Sequence, residues 1–164
     1  MKTLLLLRHA KSSWKQPEQH DHDRPLNKRG KKEAPKVGRY LKESELVPDL
    51  VLSSTARRAQ DTAQAVVEES GFSGQVDLYQ DLYLSDTTCY LDILHYLPDE
   101  ASRVLVVGHN PDLEELLTLL TDVTVHMTTA ALAQVDLPIS SWRELNEATD
   151  GRLQNLWSPR EKES

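Results

Sequence analysis

The sequence has few of the features that mark secreted or membrane proteins. Cys89 is the only cysteine in 164 residues, so no internal disulfide can form and a reducing compartment is expected. No apolar run approaches the roughly 20 residues that a membrane-spanning helix needs. Arg8 interrupts the leucine run near the N-terminus and no small-residue cleavage site follows, which argues against a signal peptide. The sequence therefore predicts a cytoplasmic protein.

Basic charge is also scarce, because 26 acidic side chains outnumber 19 basic ones and the net charge is −7. Non-specific binding to nucleic acid or to anionic membranes requires a basic surface, so we expect neither as a partner. The apolar fraction of 38% and the charged fraction of 27% are typical of a soluble globular protein. The length suits one domain, which we assign to residues 1–157 of a monomer, followed by a charged, disordered tail at 158–164.

Apolar and amphipathic segments alternate along the chain. Six short apolar segments predict strands at Leu4–Leu7, Leu50–Leu52, Val76–Tyr79, Arg103–Val107, Ala130–Val135 and Gly151–Trp157. Four amphipathic segments predict helices, at Asn27 to about Glu45, Ala56 to about Ser70, Thr87 to Leu97 and Asp112 to about Leu120, with Asn27 and Asp112 as N-caps. This alternation predicts a three-layer α/β/α fold around a mostly parallel sheet, whose last strand runs antiparallel at an edge.

Polar side chains follow three of these strands at the point where each strand ends. The carboxyl ends of parallel strands meet at one edge of a sheet, where ligands bind. That edge is predicted to collect Arg8, His9, Ser53, Ser54, Arg58 and His109. Arginine guanidinium groups match a phosphoryl group, and a histidine ring nitrogen can attack phosphorus and carry the phosphate. The sequence therefore predicts a phosphoryl-transfer site.

Other interpretations of these residues are a solvated arginine pair, a metal site and a nucleotide site. By local sequence, Arg57 and Arg58 fit an anion site at a helix N-terminus and a solvated pair equally well. The run His20–Asp23 lacks a recognised metal-ligand spacing and is more typical of solvated surface, and no carboxylate stands beside His9 or His109 at such a spacing. Gly108–Pro111 lacks the G-x-x-x-x-G-K-[ST] pattern of a nucleotide triphosphatase. We therefore expect neither a metal nor another cofactor.

Three motifs carry a resemblance to a known family. The segments Leu7–Lys11, Ser53–Ala63 and Val107–Pro111 resemble the signatures of the histidine phosphatase (phosphoglycerate mutase-like) superfamily, in a variant with Ala10 where glycine is usual. A finer resemblance is to the small SixA-type phosphohistidine phosphatases. It depends on Arg8–Trp14, Asp23–Gly30, Gly108–Glu115 and Met127–Ala131. These motifs span about residues 4 to 135 and imply a phosphoglycerate mutase-like fold with short insertions.

The resemblance implies a role for each matching residue. His9 is the implied nucleophile, which becomes phosphorylated and is then hydrolysed by water. Arg8, Arg58 and His109 are implied to complete the phosphate pocket. Ser12 lies where the family often places a further phosphate contact, although capping a helix or loop explains this serine almost equally well.

The proton donor is where the sequence departs from the larger members of the family, which supply a glutamate downstream of the second arginine. Asp81 falls in that region and is our candidate acid, with an ordinary surface aspartate as the alternative. A weak acid suits a phosphohistidine substrate, because imidazole, with a reference pKa near ~6.5, leaves more easily than an alkoxide. The expected function is therefore a phosphatase for phosphohistidine on a signalling or phosphotransfer protein. A small-molecule phosphomonoesterase and a catalytically weak phosphate-binding module remain as alternatives.

Overall fold

The computed structural model describes residues 1–160, which form six strands and four α-helices. In chain order these are β1 Lys2–Arg8, α1 Lys28–Glu43, β2 Leu50–Ser54, α2 Arg57–Ser70, β3 Val76–Tyr79, α3 Thr87–His95, β4 Arg103–Gly108, α4 Asp112–Thr121, β5 Leu132–Leu137 and β6 Arg152–Trp157. Short 3-10 turns lie at Asp21–Asp23, Gln80–Leu82 and Trp142–Glu144. The predicted order of strands and helices is confirmed.

The strands form one sheet in the order β3-β2-β4-β1-β5-β6. The pairs β3–β2, β2–β4 and β4–β1 are parallel, whereas β5 is antiparallel to both β1 and β6. Strand β6 lies at an edge and is antiparallel to its neighbour β5, as the sequence predicted for the last strand, but the strand that reverses direction against the four parallel strands is β5. The reason lies before β5, where the N–H of Ala130 donates to the carbonyl of Arg8 at 3.0 Å. The chain therefore enters β5 beside the carboxyl end of β1 and has to run in the opposite direction.

Strand β1 is buried on both faces of the sheet. Leu4, Leu5, Leu6 and Leu7 are all 0% exposed, and successive side chains point to opposite faces. Leu4 and Leu6 join the core beneath α3 and α4, while Leu5 and Leu7 join the core beneath α1 and α2. Burial of each leucine stabilises the folded state by roughly 1.5–3 kcal/mol. Strand β1 therefore holds the two residues at its end, Arg8 and His9, in a fixed position.

Helix α1 packs tightly against the segment that follows β1. Asn27 caps the helix, as predicted, by accepting the N–H of Gly30 at 2.8 Å, and its own N–H donates to the carbonyl of Lys11 at 2.9 Å. A Cβ on Gly30 would lie 2.1 Å from the Lys11 carbonyl oxygen, so only glycine fits there. The start of α1 therefore fixes the path of the chain just after His9.

The predicted cap of α4 is wrong. Pro111 occupies the N-cap position without a side-chain hydrogen bond, and Asp112 is the first residue of the helix. The Asp112 carboxylate instead accepts the backbone N–H of Ser85 at 3.3 Å, from the loop between the Gln80–Leu82 turn and α3. Its side chain is therefore engaged across the fold and not with its own helix.

The end of the described chain packs onto the domain, although the sequence predicted a disordered tail from Ser158. Ser158 is 6% exposed, Pro159 is buried, and Arg160 donates to the Thr129 hydroxyl at 3.0 Å. Arg160 also lies 3.6 Å from the carboxylate of Glu33 on α1, which gives its charge a partner. Residues 161–164 of the predicted tail lie outside the described residues. Among residues 1–160, no helix combines the length and the apolar character needed to cross a membrane.

Candidate active site

His9 lies directly after β1 with one ring nitrogen already engaged. It is 8% exposed, and its Nδ1 lies 2.7 Å from the carbonyl oxygen of Ala10. Because a carbonyl can only accept, Nδ1 carries the proton and Nε2 keeps its lone pair. Burial and the charges of Arg58, Arg8 and Arg24 together lower the pKa of His9 to about 4 against the raising effect of the Ala10 hydrogen bond. His9 is thus neutral and nucleophilic at neutral pH.

His109 follows β4 and faces His9 across the edge of the sheet. The two ring centroids are 5.0 Å apart, and His109 is 7% exposed. Its Nε2 lies 2.8 Å from the hydroxyl oxygen of Ser54, which stands at the end of β2. Burial, together with His9 and the charge of Arg58, lowers the pKa of His109 to about 3. The ends of β1, β2 and β4 therefore meet in one place, as strand topology predicted.

Arg8 and Arg58 enter the same place from β1 and α2. Arg8 donates through Nη1 to the carbonyl of Met127 at 2.8 Å, and burial lowers its pKa. Arg58 is 6% exposed and donates through Nη1 to the carbonyl of Asp21 at 2.7 Å. Arg57 instead points outward and pairs with Asp61 at 3.6 Å on its own helix. Of the two neighbouring arginines, only Arg58 lines the cleft.

A cleft of about 550 Å³ joins these side chains, and it is lined by unsatisfied polar atoms. Seven buried side-chain nitrogen or oxygen atoms in residues 1–160 have no hydrogen-bond partner, and five of them belong to residues lining this cleft. The five are Arg8 Nε, Arg58 Nε, His109 Nδ1, Ser85 Oγ and Asn110 Oδ1. Each unpaired buried polar group destabilises the folded state by about 1–3 kcal/mol. Five of them around one cleft therefore indicate a binding site for a polar ligand that supplies the missing hydrogen bonds.

Asp21 organises the cations of the cleft, and the sequence did not identify it. Its carboxylate accepts from the Tyr83 hydroxyl at 2.7 Å, from Arg24 Nε at 3.0 Å and from Arg58 Nη2 at 3.0 Å. Burial alone raises the pKa of Asp21, but these hydrogen bonds and the charge of Arg58 outweigh it and lower the pKa to about 2. The sequence predicts that the run His20–Asp23 is solvated surface. In the structure it supplies the carboxylate that holds Arg24 and Arg58 in place.

Arg24 is a third arginine of the cleft, and the sequence did not single it out. It is 7% exposed, and its Nη1 donates to the hydroxyl of Ser12 at 2.5 Å. Its guanidinium carbon lies 3.6 Å from the centroid of the Trp14 ring. Ser12 is 7% exposed and lines the cleft, where its hydroxyl proton is free to donate to a ligand. The signal for Arg24 was its place in the segment Asp23–Gly30, which carries part of the family resemblance.

Comparison with known proteins identifies the family. Residues 4–83 match the model of the histidine phosphatase superfamily (branch 1). A chloroplastic protein of Arabidopsis thaliana without an assigned function is 32% identical over 95% of this chain and 77% of its own length. The chain belongs to the histidine phosphatase superfamily. It is therefore a phosphatase by family.

Solved structures agree with this assignment. A SixA protein of Nakamurella multipartitia, described as a phosphohistidine phosphatase, has a TM-score of 0.84 and 28% identity, covering 96% of each chain. A SixA protein of Agrobacterium tumefaciens with the same description has a TM-score of 0.82 and 29% identity, covering 96% of this chain and 98% of its own. The histidine phosphatase fold therefore extends over nearly the whole chain.

The aspartate expected to serve as this phosphatase's acid is not in the cleft. Asp81 lies exposed on the Gln80–Leu82 turn and is not among the residues that line the site. Among the described residues, Asp112 is the only carboxylate that lines the cleft, and it is 6% exposed. Burial raises the pKa of Asp112, as do Glu115 and Asp86, while the Ser85 N–H lowers it. Sequence reasoning missed Asp112 as a site residue because its position suggested a helix cap.

The cleft shows no arrangement suited to a resident metal. Within residues 1–160, no group of three or more His, Cys, Asp or Glu side chains is placed to hold a metal ion. In the run His20–Asp23, the Asp21 carboxylate is committed to two arginines and a tyrosine, and His22 Nε2 lies 2.9 Å from the Thr55 hydroxyl. The cleft instead contains the guanidinium groups of Arg8, Arg24 and Arg58, which bind anions.

Proposed function

We propose that this histidine phosphatase transfers a phosphoryl group to His9 and then to water, without a metal, and that its substrate is phosphohistidine on another protein. The observation that carries the proposal is the group of unpaired nitrogens around His9. Arg8 Nε, Arg58 Nε and His109 Nδ1 are buried without partners beside a histidine whose tautomer leaves Nε2 free. A phosphoryl group on Nε2 would give these nitrogens the oxygens that they lack.

In the first step, His9 Nε2 forms a bond to phosphorus while the bond from phosphorus to the leaving nitrogen breaks. The leaving ring carries a proton on its other nitrogen, so it takes the electron pair of the broken bond and departs as neutral imidazole. The phosphoryl oxygens carry the negative charge, and Arg8 and Arg58 stabilise it through fixed positive charges. The hydrogen bond from Nδ1 to the Ala10 carbonyl stabilises the positive charge that His9 gains during attack.

In the second step, water attacks phosphorus in line with the bond to His9. The bond between phosphorus and Nε2 breaks, its electron pair returns to the ring, and inorganic phosphate leaves. The His9 pKa of about 4 makes the neutral ring a good leaving group, because burial among cations already disfavours its charged form. The same environment therefore supports both halves of the reaction.

Several features support a protein-borne substrate. Trp14 is 67% exposed and Leu84 is 82% exposed, and both line the cleft, so its mouth presents apolar surface of the kind found at protein contacts. The SixA proteins with TM-scores of 0.84 and 0.82 are described as phosphohistidine phosphatases.

A free cysteine at Cys89 fits a reducing compartment, and we place the protein in the cytoplasm as a monomer.

Phosphate trapping tests the proposed function. Protein mixed with a ³²P-labelled phosphohistidine phosphotransfer domain and quenched in alkali is expected to carry acid-labile label, and His9→Ala is expected to lose both label and turnover. Asp81→Asn is the matched control and keeps both. EDTA is expected to leave the rate unchanged. Turnover by His9→Ala at near the wild-type rate would falsify the mechanism, while phosphate binding without any turnover would favour a binding module.

A further inference from the structure

The proposed reaction needs a proton donor when the leaving atom is an oxygen, and none has been assigned so far. An alcohol leaves from phosphorus readily only if its oxygen receives a proton during the step. His9 and His109, with pKa values of about 4 and about 3, are both neutral near pH 7, and each is engaged with the phosphoryl group in the proposed reaction. Arginine keeps its proton under all ordinary conditions. A separate donor is therefore required.

Few residues in the cleft could be that donor. Lys11 lines it but is exposed, and across residues 1–160 the structure shows no hydrogen bond or ion pair that fixes the position of its ammonium group. Tyr83 directs its hydroxyl proton to the Asp21 carboxylate at 2.7 Å, and burial raises its pKa. Asp112 is the remaining acid and the only carboxylate lining the cleft in the described part of the chain.

Asp112 is buried in the lining of the cleft, and one oxygen of its carboxylate is held by a hydrogen bond. It follows His109 by three residues and is 6% exposed. The hydrogen bond that the structure shows to its carboxylate, from the Ser85 N–H at 3.3 Å, reaches Oδ2, so Oδ1 can carry a proton. Burial favours the protonated form, while the N-terminus of α4 stabilises the carboxylate that remains after donation.

We propose that Asp112 is the proton donor to the leaving group, which extends the proposed function to phosphomonoesters of alcohols. As His9 Nε2 bonds to phosphorus, the bond from phosphorus to the leaving oxygen breaks, and its electron pair accepts the proton from Asp112 Oδ1. The alcohol departs and Asp112 becomes a carboxylate. The attacking water then returns a proton to Asp112 as the bond from phosphorus to Nε2 breaks. The inference rests on the proposed function, since it requires His9 as nucleophile.

The test is the dependence of His9 phosphorylation on the leaving group. Single-turnover rates are measured for wild type and Asp112→Asn with alkyl phosphates, p-nitrophenyl phosphate and phosphohistidine. Loss of a general acid is expected to slow the alkyl phosphates by about 10²–10⁴-fold. The good leaving groups, p-nitrophenolate and imidazole, are expected to change by less than about tenfold. Asp81→Asn, which removes an exposed carboxylate outside the cleft, is expected to match wild type throughout.

Two outcomes would overturn the role of Asp112. An equal loss for every leaving group would show a structural role, and unchanged alkyl rates would show that another group donates. Wild-type protein that phosphorylates His9 from p-nitrophenyl phosphate but never from alkyl phosphates would overturn it as well. In each of these cases, ³²P label on His9 would still support the proposed function. Turnover by His9→Ala would instead contradict both the proposed function and the role of Asp112. Circular dichroism of Asp112→Asn checks that the variant is folded.

Discussion

Asp21 holds Arg58 through two of its three guanidinium nitrogens. The Asp21 backbone carbonyl accepts from Nη1 at 2.7 Å, and its carboxylate accepts from Nη2 at 3.0 Å. The third nitrogen, Nε, is buried without a partner. A residue from a short 3-10 turn therefore fixes the orientation of a cation on α2, 37 positions away in sequence, and leaves the Nε–H of that cation unpaired and available to the substrate.

Asp21→Asn is expected to lower kcat by about tenfold, because a charge-assisted hydrogen bond of about 1.5–3 kcal/mol no longer orients Arg58. KM is not expected to rise, since removal of a carboxylate leaves the cleft more positive toward a dianionic substrate. Asp23→Asn makes the same change in the same turn at a side chain that is 61% exposed, and it is expected to have no effect. Steady-state kinetics of both variants decide this, and a rise in KM alone would contradict the positioning role.

The two buried histidines make stability depend on pH. Their pKa values are about 4 for His9 and about 3 for His109, below the ordinary value of 6.5, because burial disfavours the charged ring. Below pH 6.5 the unfolded chain binds protons that the native state does not bind. The free energy of unfolding therefore falls as pH falls from 6.5 toward 4. Each histidine is expected to account for up to roughly 2 kcal/mol of the loss at pH 5.

Urea unfolding at pH 7 and pH 5 measures this loss, and His109→Gln is expected to show a smaller difference between the two pH values than wild type. The comparison uses the slope with pH and not the absolute stability, because the substitution also changes packing. A variant with the wild-type slope would show that His109 does not remain neutral in the folded state.

Gly30→Ala is expected to lower both stability and kcat. The added Cβ would lie 2.1 Å from the Lys11 carbonyl oxygen and force α1 away from the segment after His9. Overpacking of this kind costs about 1–3 kcal/mol. Gly38→Ala is the matched control on the same helix, since its Cβ would lie 2.5 Å from the Val66 carbonyl oxygen, at the contact with α2. Thermal unfolding is expected to show destabilisation in both variants, and kcat below the melting transition is expected to fall only for Gly30→Ala.

The sequence predicted the parts of the site that backbone topology determines. An apolar run such as Leu4–Leu7 is typical of a buried strand, and the carboxyl ends of parallel strands meet at one edge, so the meeting of Arg8, His9, Ser54 and His109 could be predicted from the chain order. The direction of β5 did not follow, because the segment after α4 has no crossover helix and its return to the edge of β1 depends on tertiary hydrogen bonds.

The residues that sequence reasoning missed lie in loops or at a helix start, and they meet the site only through long-range contacts. Tyr83 reaches Asp21 across 62 positions, and Asp112 reaches Ser85 across 27. Such long-range contacts leave no periodic pattern in the local sequence from which they could be predicted. The position of Asp81 could not be predicted for the same reason. Whether its side chain enters the cleft depends on how the 3-10 turn that carries it packs against the sheet. Topology could be predicted, whereas the side-chain network of the loops could not.

Trp14 offers a way to separate a protein substrate from a small one. Its ring lies 3.6 Å from the Arg24 guanidinium, yet the residue is 67% exposed at the mouth of the cleft. Trp14→Ala is expected to raise KM several-fold for a phosphohistidine phosphotransfer domain, because apolar contact surface is lost. Loss of an exposed cation–π contact, worth about 0.5–1 kcal/mol, is expected to change kcat/KM for free phosphohistidine by less than about fivefold. Tyr96→Ala, which is 80% exposed and outside this cleft, serves as the control and is expected to change neither. Equal losses for the two substrates would show that Trp14 acts only by supporting Arg24, and that the mouth of the cleft does not recognise a protein surface.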